Sequence, residues 1–83
     1  MNWKISSPTN LGSALREERK KKGLNQTEVG KLVGIEQSTV SVVEQGNGGT
    51  RLDTLFRLLA ALDLELTLQP RIKKVDEERE EDW

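Results

Sequence analysis

Apolar residues over most of the chain recur every three to four positions, as they do along the buried face of an amphipathic helix. Four such segments are separated by short stretches rich in glycine or turn residues. The first begins at Ser7-Pro8, an N-cap followed by proline at the first helical position, and is predicted to end at Gly23. The second begins at Asn25, which has the spacing of a capping box with Glu28. The pattern predicts a helix bundle.

The second helix is predicted to end at Gly34, and a third runs from about Gln37 to Gln45. Thr50 with Asp53 is predicted to cap a fourth helix. The positions predicted to face the core are Leu11, Ala14, Leu15, Val29, Leu32, Val33, Ile35, Thr39, Val40, Val43, Leu52, Leu55, Phe56, Leu58, Leu59 and Leu62.

After Asp63 the apolar period changes from 3.6 to 2, with Leu64, Leu66 and Leu68 alternating with polar residues until Pro70. This predicts one strand, which cannot pair its own backbone groups. Residues 3–5 are one candidate partner, but the same strand of a second copy is the better one, because antiparallel pairing about a two-fold axis is easily formed. We therefore expect an all-α bundle with one C-terminal strand that pairs across a homodimer.

Composition excludes several functions. The 83 residues contain no Cys and no His, so the chain lacks thiolate ligands, imidazole ligands and the commonest general base. We expect no metal, no cofactor and no enzymatic activity. No segment has the length and hydropathy of a membrane span or a signal peptide, which favours a cytoplasmic protein.

Charge is unevenly distributed along the chain. Residues 1–69 contain 9 Lys and Arg against 8 Asp and Glu, whereas residues 70–83 contain 4 against 6. We therefore divide the chain into a folded domain, 1–69, and a flexible charged tail, 70–83. The run Lys20-Lys21-Lys22 is either a solvated helix end or a patch that steers phosphate.

The second and third helices have the spacing of a helix-turn-helix. Gly34 permits a sharp turn between them, and Gly30 is expected to leave room for the third helix to cross closely. The third helix then presents a polar outward face, and in this motif it is the helix that enters the major groove. Its outward residues are Gln37, Ser38, Ser41, Val42 and Gln45.

With these motifs in place, residues 11–62 resemble the phage-repressor-type helix-turn-helix regulators, which commonly begin the second helix with Gly-Leu-x-Gln, as at Gly23–Gln26 here. The whole layout resembles the HipB-type antitoxins, with Ser7-Pro8-Thr9 at the first helix, Gly34-Ile35-x-Gln37 at the turn, the Leu64-x-Leu66-x-Leu68 strand and a charged tail ending in tryptophan. The resemblance implies a homodimer, autoregulatory binding to a near-palindromic operator, and a HipA-like kinase toxin as partner.

The resemblance also implies roles for individual residues. Gln37 is expected to pair with adenine, and Val42 to contact a thymine methyl, while Ser38 and Ser41 supply adaptable hydrogen bonds to bases. In similar repressors the two glutamines that correspond to Gln26 and Gln37 interact, and the first of them clamps a phosphate. The residues expected to contact phosphate are Asn25, Gln26, Gln45, Asn47 and Arg51.

Four further residues carry open interpretations. Arg19 and Glu44 are expected to form an ion pair, because similar repressors keep one. Glu36 departs from the family pattern, since a carboxylate repels phosphate, and it either caps the third helix or accepts from cytosine N4. Trp83 is either a terminal residue without a role or an aromatic anchor for the toxin.

The sequence thus indicates a transcriptional repressor and antitoxin located at the bacterial nucleoid. A stand-alone repressor without a toxin and a protein-interaction adaptor are the alternatives. The overall negative charge and Glu36 favour the adaptor.

Overall fold

The computed structural model describes residues 3–71, which fold into four α-helices. Helix α1 spans Pro8–Lys21, α2 spans Gln26–Val33, α3 spans Gln37–Glu44 and α4 spans Leu52–Ala61. These are the four helices that the apolar periodicity predicts, so the all-α fold class is confirmed. Trp83 and nearly all of the proposed tail lie outside the described residues, and the domain boundary at residue 69 stays a prediction.

Local capping chemistry determines where the first two helices begin. The Oγ of Ser7 accepts from the backbone N–H of Asn10 at 3.0 Å. At α2 the Oδ1 of Asn25 accepts from the N–H of Glu28, and the Glu28 carboxylate accepts from the N–H of Asn25, both at 2.8 Å. Both predicted N-caps are confirmed. They could be predicted because each depends on residues only three positions apart.

The predicted cap of α4 is wrong. Arg51, not Thr50, occupies the N-cap position, and no side chain caps the helix. The carboxylate of Asp53 instead accepts from the Nε of Arg51 at 3.2 Å. Thr50 lies one residue too early to cap, and its Oγ1 is buried without a hydrogen-bond partner in the described part of the chain.

The core lies where all four helices meet. Its buried residues are Leu15, Val29, Val40, Val43, Leu58, Leu59 and Leu62, with Leu11, Leu24, Ile35, Leu55, Ala61 and Leu64 packed at its edge. Val29 and Val40 are the most deeply enclosed, at 0% and 1% exposed. The valines therefore hold α2 and α3 together from behind, as the pattern predicts.

Three residues predicted to face the core are exposed instead. Leu32 is 62% exposed, Leu52 71% and Phe56 51%. Leu52 and Phe56 are four residues apart and share one side of α4, next to the side that carries the buried Leu58 and Leu59. The apolar surface of α4 is wider than α1–α3 can cover, so one stripe of it is left uncovered by residues 3–71.

The segment Leu64–Leu68 forms no strand within residues 3–71. Leu64 packs on the core and its N–H donates to the carbonyl of Leu59 at 2.8 Å, whereas Leu66 and Leu68 are 51% and 91% exposed. Pairing with residues 3–5 does not occur in the chain. Pairing with a second copy remains a prediction.

Two glycines permit close approach between elements. A Cβ on Gly30 would strike the backbone carbonyl of Ile35, whereas the side chain of Val40 on α3 stays at ordinary contact distance, 3.5 Å. The expectation that Gly30 clears the third helix is therefore wrong: it clears the turn. Gly12 on α1 does lie against α3, because its Cβ would fall 2.5 Å from the carbonyl oxygen of Glu44.

Candidate nucleic-acid interface

The turn between α2 and α3 fixes the direction in which α3 leaves. Gly34 ends α2 in the left-handed conformation, with φ of 70°, and the N–H of Ile35 donates to the carbonyl of Gly30 at 2.9 Å. Glu36 then occupies the N-cap of α3, although its side chain makes no capping bond. Glu36 thus holds the N-cap position without the capping hydrogen bond, and its acceptance from cytosine N4 stays a prediction.

The predicted base-contacting residues share one outward face of α3. Gln37 and Ser38 are exposed, Val42 is 42% exposed and Ser41 is half-buried. The amide of Gln45 donates to the Oγ of Ser41 at 3.0 Å, so two members of this face already form a hydrogen bond. The face is polar except for Val42, and it is accessible from solvent.

A hydrogen-bonded network lies behind this face. The Nε2 of Gln37 donates to the Oε1 of Gln26 at 2.5 Å, and the Nε2 of Gln26 donates to Glu44 at 3.0 Å. Glu44 also binds Arg19 through two bonds of 2.6 and 2.9 Å, and Arg19 donates to the carbonyl of Leu24 at 2.8 Å. The network therefore ties both ends of α3 to α1 and α2.

Burial and charge pairing determine the electrostatics of this network. The side chains of Arg19 and Glu44 are 10% and 4% exposed. Burial by itself would raise the pKa of Glu44, but hydrogen bonds from Arg19 and Gln26 outweigh it and hold that pKa below its ordinary value of 4.5. The bond to Glu44 raises the pKa of Arg19 against the opposing effect of burial. Both groups are charged at neutral pH, and the expected ion pair is confirmed.

The residues predicted to contact phosphate flank the exposed face of α3 at the start of α2 and in the loop before α4. Asn25 caps α2, and the amide of Gln26 is only half-buried. Asn47 and Arg51 are exposed, although Arg51 is engaged with Asp53, a contact that sequence reasoning missed. A groove of about 460 Å³ joins the loop to α3. It is lined by Ser38, Thr39, Val42, Asn47, Gly49, Thr50, Arg51 and Thr54.

Other contacts were not predicted from the sequence. Gln26 and Glu44 are 18 positions apart, and no periodicity or local motif joins them. The Nε1 of Trp3 donates to Glu18 on α1 at 2.8 Å, and Lys21 binds the same carboxylate at 3.2 Å. The bond from Trp3, followed by that from Lys21, lowers the pKa of Glu18. The segment before α1 is thus fastened to α1 and not to the Leu64–Leu68 segment.

Within residues 3–71 no cluster of three carboxylate, imidazole or thiolate side chains is placed to hold a metal ion. None of the helices in that range is long and apolar enough to cross a membrane.

A short helix held across another by a glycine turn, with a polar outward face led by glutamine, is the arrangement that inserts a recognition helix into the major groove. The fold and the site therefore define a helix-turn-helix DNA-binding protein. Comparison with known proteins agrees. The protein-family model described as helix-turn-helix matches residues 15–69. The chain is 42% identical over 65 residues to the antitoxin HipB of Escherichia coli strain K12, an alignment that covers 78% of this chain and 74% of HipB.

Solved structures that contain HipB also resemble the chain closely. A HipB–O2 20mer complex has a TM-score of 0.80 and 38% identity, with 84% of this chain and 97% of that chain covered. HipB in a HipA–HipB–O2–O3 complex has a TM-score of 0.77 and 40% identity, with 81% and 94% covered. The chain belongs to the helix-turn-helix family and, within it, to the HipB antitoxins. It is a DNA-binding regulator and not an enzyme.

Proposed function

We propose that this protein is a sequence-specific transcriptional repressor that binds its own operator and serves as the antitoxin of a HipA-like kinase. The observation that carries the proposal is the outward face of α3, headed by Gln37 and supported by Gln26, in a fold that matches HipB in a 20mer complex with a TM-score of 0.80. HipB also occurs in a complex with HipA, which supports a toxin of that kind as the partner.

The face of α3 reads bases in the major groove. Gln37 pairs with adenine through its amide, which has both a donor and an acceptor, as adenine N7 and N6 require. Ser38 and Ser41 donate or accept at neighbouring bases. Val42 is an exposed branched residue on a polar surface, and it contacts a thymine methyl.

Contacts to phosphate orient α3 in the groove. Asn25 and Gln26 lie at the N-terminus of α2, where backbone N–H groups and the helix dipole favour an anion. Asn47 and Arg51 lie across the groove from α3, and Gln45 lies at its end. These residues determine the register of the protein on the duplex without reading sequence.

The active species is a homodimer bound to a near-palindromic operator, with the two recognition helices about 34 Å apart. Two uncovered apolar regions support this assembly: the stripe formed by Leu52 and Phe56, and the segment with Leu66 and Leu68. A strand of Leu64–Leu68 paired with its copy would satisfy the backbone of both chains. We place this dimer in the bacterial cytoplasm, at the nucleoid.

Operator binding is tested by selecting duplexes from a randomised library and measuring dissociation constants at several salt concentrations. We expect a steep loss of affinity with salt, because neutralised phosphates release counterions. Gln37→Ala is expected to weaken binding to the selected site by about 1–3 kcal/mol and to leave binding to random DNA unchanged. Gln69→Ala removes the same amide from an exposed site outside α3 and serves as the control. Equal losses for Gln37→Ala on selected and random DNA would refute the assignment.

The toxin partnership is tested by co-purification with a HipA-like kinase. Removal of residues 71–83 is expected to abolish capture if Trp83 and the tail anchor the toxin, whereas retention places the contact on the folded domain. Absence of capture by the full chain would leave a stand-alone repressor. A salt-independent affinity for the selected duplex would favour a protein-interaction adaptor.

A further inference from the structure

The hydrogen bonds of the network behind α3 have a fixed order of donors and acceptors. A carboxylate accepts hydrogen bonds and donates none, whereas a glutamine amide does both through different atoms. Glu44 accepts from Arg19 at both oxygens and from the amide nitrogen of Gln26. Gln26 must therefore turn its Nε2 toward Glu44, and its Oε1 is left to accept from Gln37. The orientation of each amide follows from the one before it.

The last amide in this series is the one that meets DNA. Because Gln26 presents an oxygen, Gln37 must give it one N–H, and the Oε1 and second N–H of Gln37 remain available. No hydrogen bond among residues 3–71 uses that Oε1. An outward acceptor beside one outward donor matches the N6 donor and N7 acceptor of adenine. On guanine the same arrangement places the Oε1 of Gln37 against the O6 acceptor, and two acceptors cannot form a hydrogen bond.

We propose that Glu44, which lies behind the DNA-facing surface, determines the preference of Gln37 for adenine over guanine by fixing the orientation of both glutamine amides. The inference rests on the proposed function, since it requires that Gln37 contacts a base. Glu44 is thus a positioning residue. It never touches DNA, because its side chain is 4% exposed.

Glu44 can act in this way because it stays ionised. Arg19 forms a bidentate pair with it, and the lowered pKa of Glu44 keeps it from becoming a donor at neutral pH. Arg19 is in turn held by the carbonyl of Leu24, so the pair is anchored to the backbone. Glu44 is therefore always a hydrogen-bond acceptor at neutral pH.

The decisive variant is Glu44→Gln, which turns one of the two acceptors into a donor. Oε1 of Glu44 accepts from both Arg19 and Gln26, and Oε2 accepts from Arg19 alone, so the new nitrogen faces Gln26 when it occupies the Oε1 position. Gln26 must then reverse, and Gln37 must reverse with it and present two outward N–H groups. Two donors match the N7 and O6 acceptors of guanine. We expect the adenine-to-guanine affinity ratio, about 10-fold or more in the original chain, to fall to about one or to invert.

The ratio is measured as dissociation constants on the selected operator and on the same duplex with guanine at the base assigned by Gln37→Ala. Folding of each variant is checked by thermal unfolding. Glu17→Gln is the matched control, because it removes the same charge from an exposed position on α1 outside the network. It should leave the ratio unchanged. Glu44→Asp keeps an acceptor-only group, and should keep the preference for adenine.

If Glu44→Gln does not fold, Gln26→Met decides, since Gln26 is half-buried and outside the core. Without an acceptor at residue 26 the amide of Gln37 is free to turn, so the adenine-to-guanine affinity ratio should fall toward one. A residue that only clamps phosphate would weaken both duplexes alike. An unchanged ratio in folded Gln26→Met overturns the inference, as does an original chain that prefers guanine. If Gln37→Ala changes no base preference, the proposed base contact itself has failed.

Discussion

Breaking the pair between Arg19 and Glu44 should cost far more than an ordinary ion pair. Arg19→Met retains most of the aliphatic stem but leaves the Glu44 carboxylate at 4% exposure. Gln26 is then its only donor among residues 3–71, and the carbonyl of Leu24 also loses its bond from Arg19. Loss of one partner of a buried pair costs about 3–5 kcal/mol. Since a chain of this length is stabilised by roughly 4–12 kcal/mol, the variant should lose a large share of its stability.

The assay is urea unfolding followed by circular dichroism, at one fixed protein concentration because dimerisation contributes to stability. The double variant Arg19→Met with Glu44→Met removes both charges and keeps similar volume. It should recover much of the loss, because an apolar pair leaves no uncompensated charge. A cost below about 1 kcal/mol for Arg19→Met would show that the pair behaves like an exposed one and would refute the reasoning.

Three further predictions concern pH, the turn and the dimer. Because the pKa of Glu44 in the folded protein lies below its ordinary value of 4.5, the stabilisation is fully present above that ordinary value, which applies to the unfolded chain. It should be lost as pH falls through the lower folded value, which urea midpoints at decreasing pH will show, and the double variant should lose less. Gly30→Ala should destabilise by about 1–3 kcal/mol in thermal unfolding despite its better helix propensity, since a Cβ would strike a turn carbonyl, whereas Gly49→Ala should not. Phe56→Ser should raise the dimer dissociation constant in sedimentation without unfolding the monomer, because Phe56 is 51% exposed; an unchanged constant would exclude this stripe from the interface.

Features that depend on neighbours in sequence were predictable. The caps at Ser7 and Asn25 and the turn at Gly34 each involve residues within a few positions of one another. The cap of α4 was not, because Thr50 and Arg51 differ by a single position, and the loop before the helix decides which of them precedes its first turn.

Features that depend on which surfaces meet were less predictable. Periodicity marks Leu32 and Phe56 as apolar positions, but it cannot show that none of helices α1–α4 covers them. Gly12 carries no signal in the sequence, yet its lack of a side chain lets α1 approach the end of α3. That approach brings Arg19 and Glu44, 25 positions apart, into contact.

The amino-acid sequence by itself determined the four helices, the glycine turn and the polar face of α3, since hydrophobic period and capping act over one or two helical turns. Only the tertiary structure decided that the buried carboxylate of Glu44 is joined through Gln26 to Gln37. A hydrogen bond depends on distance and angle in space, and packing of α1 against α3 supplies both.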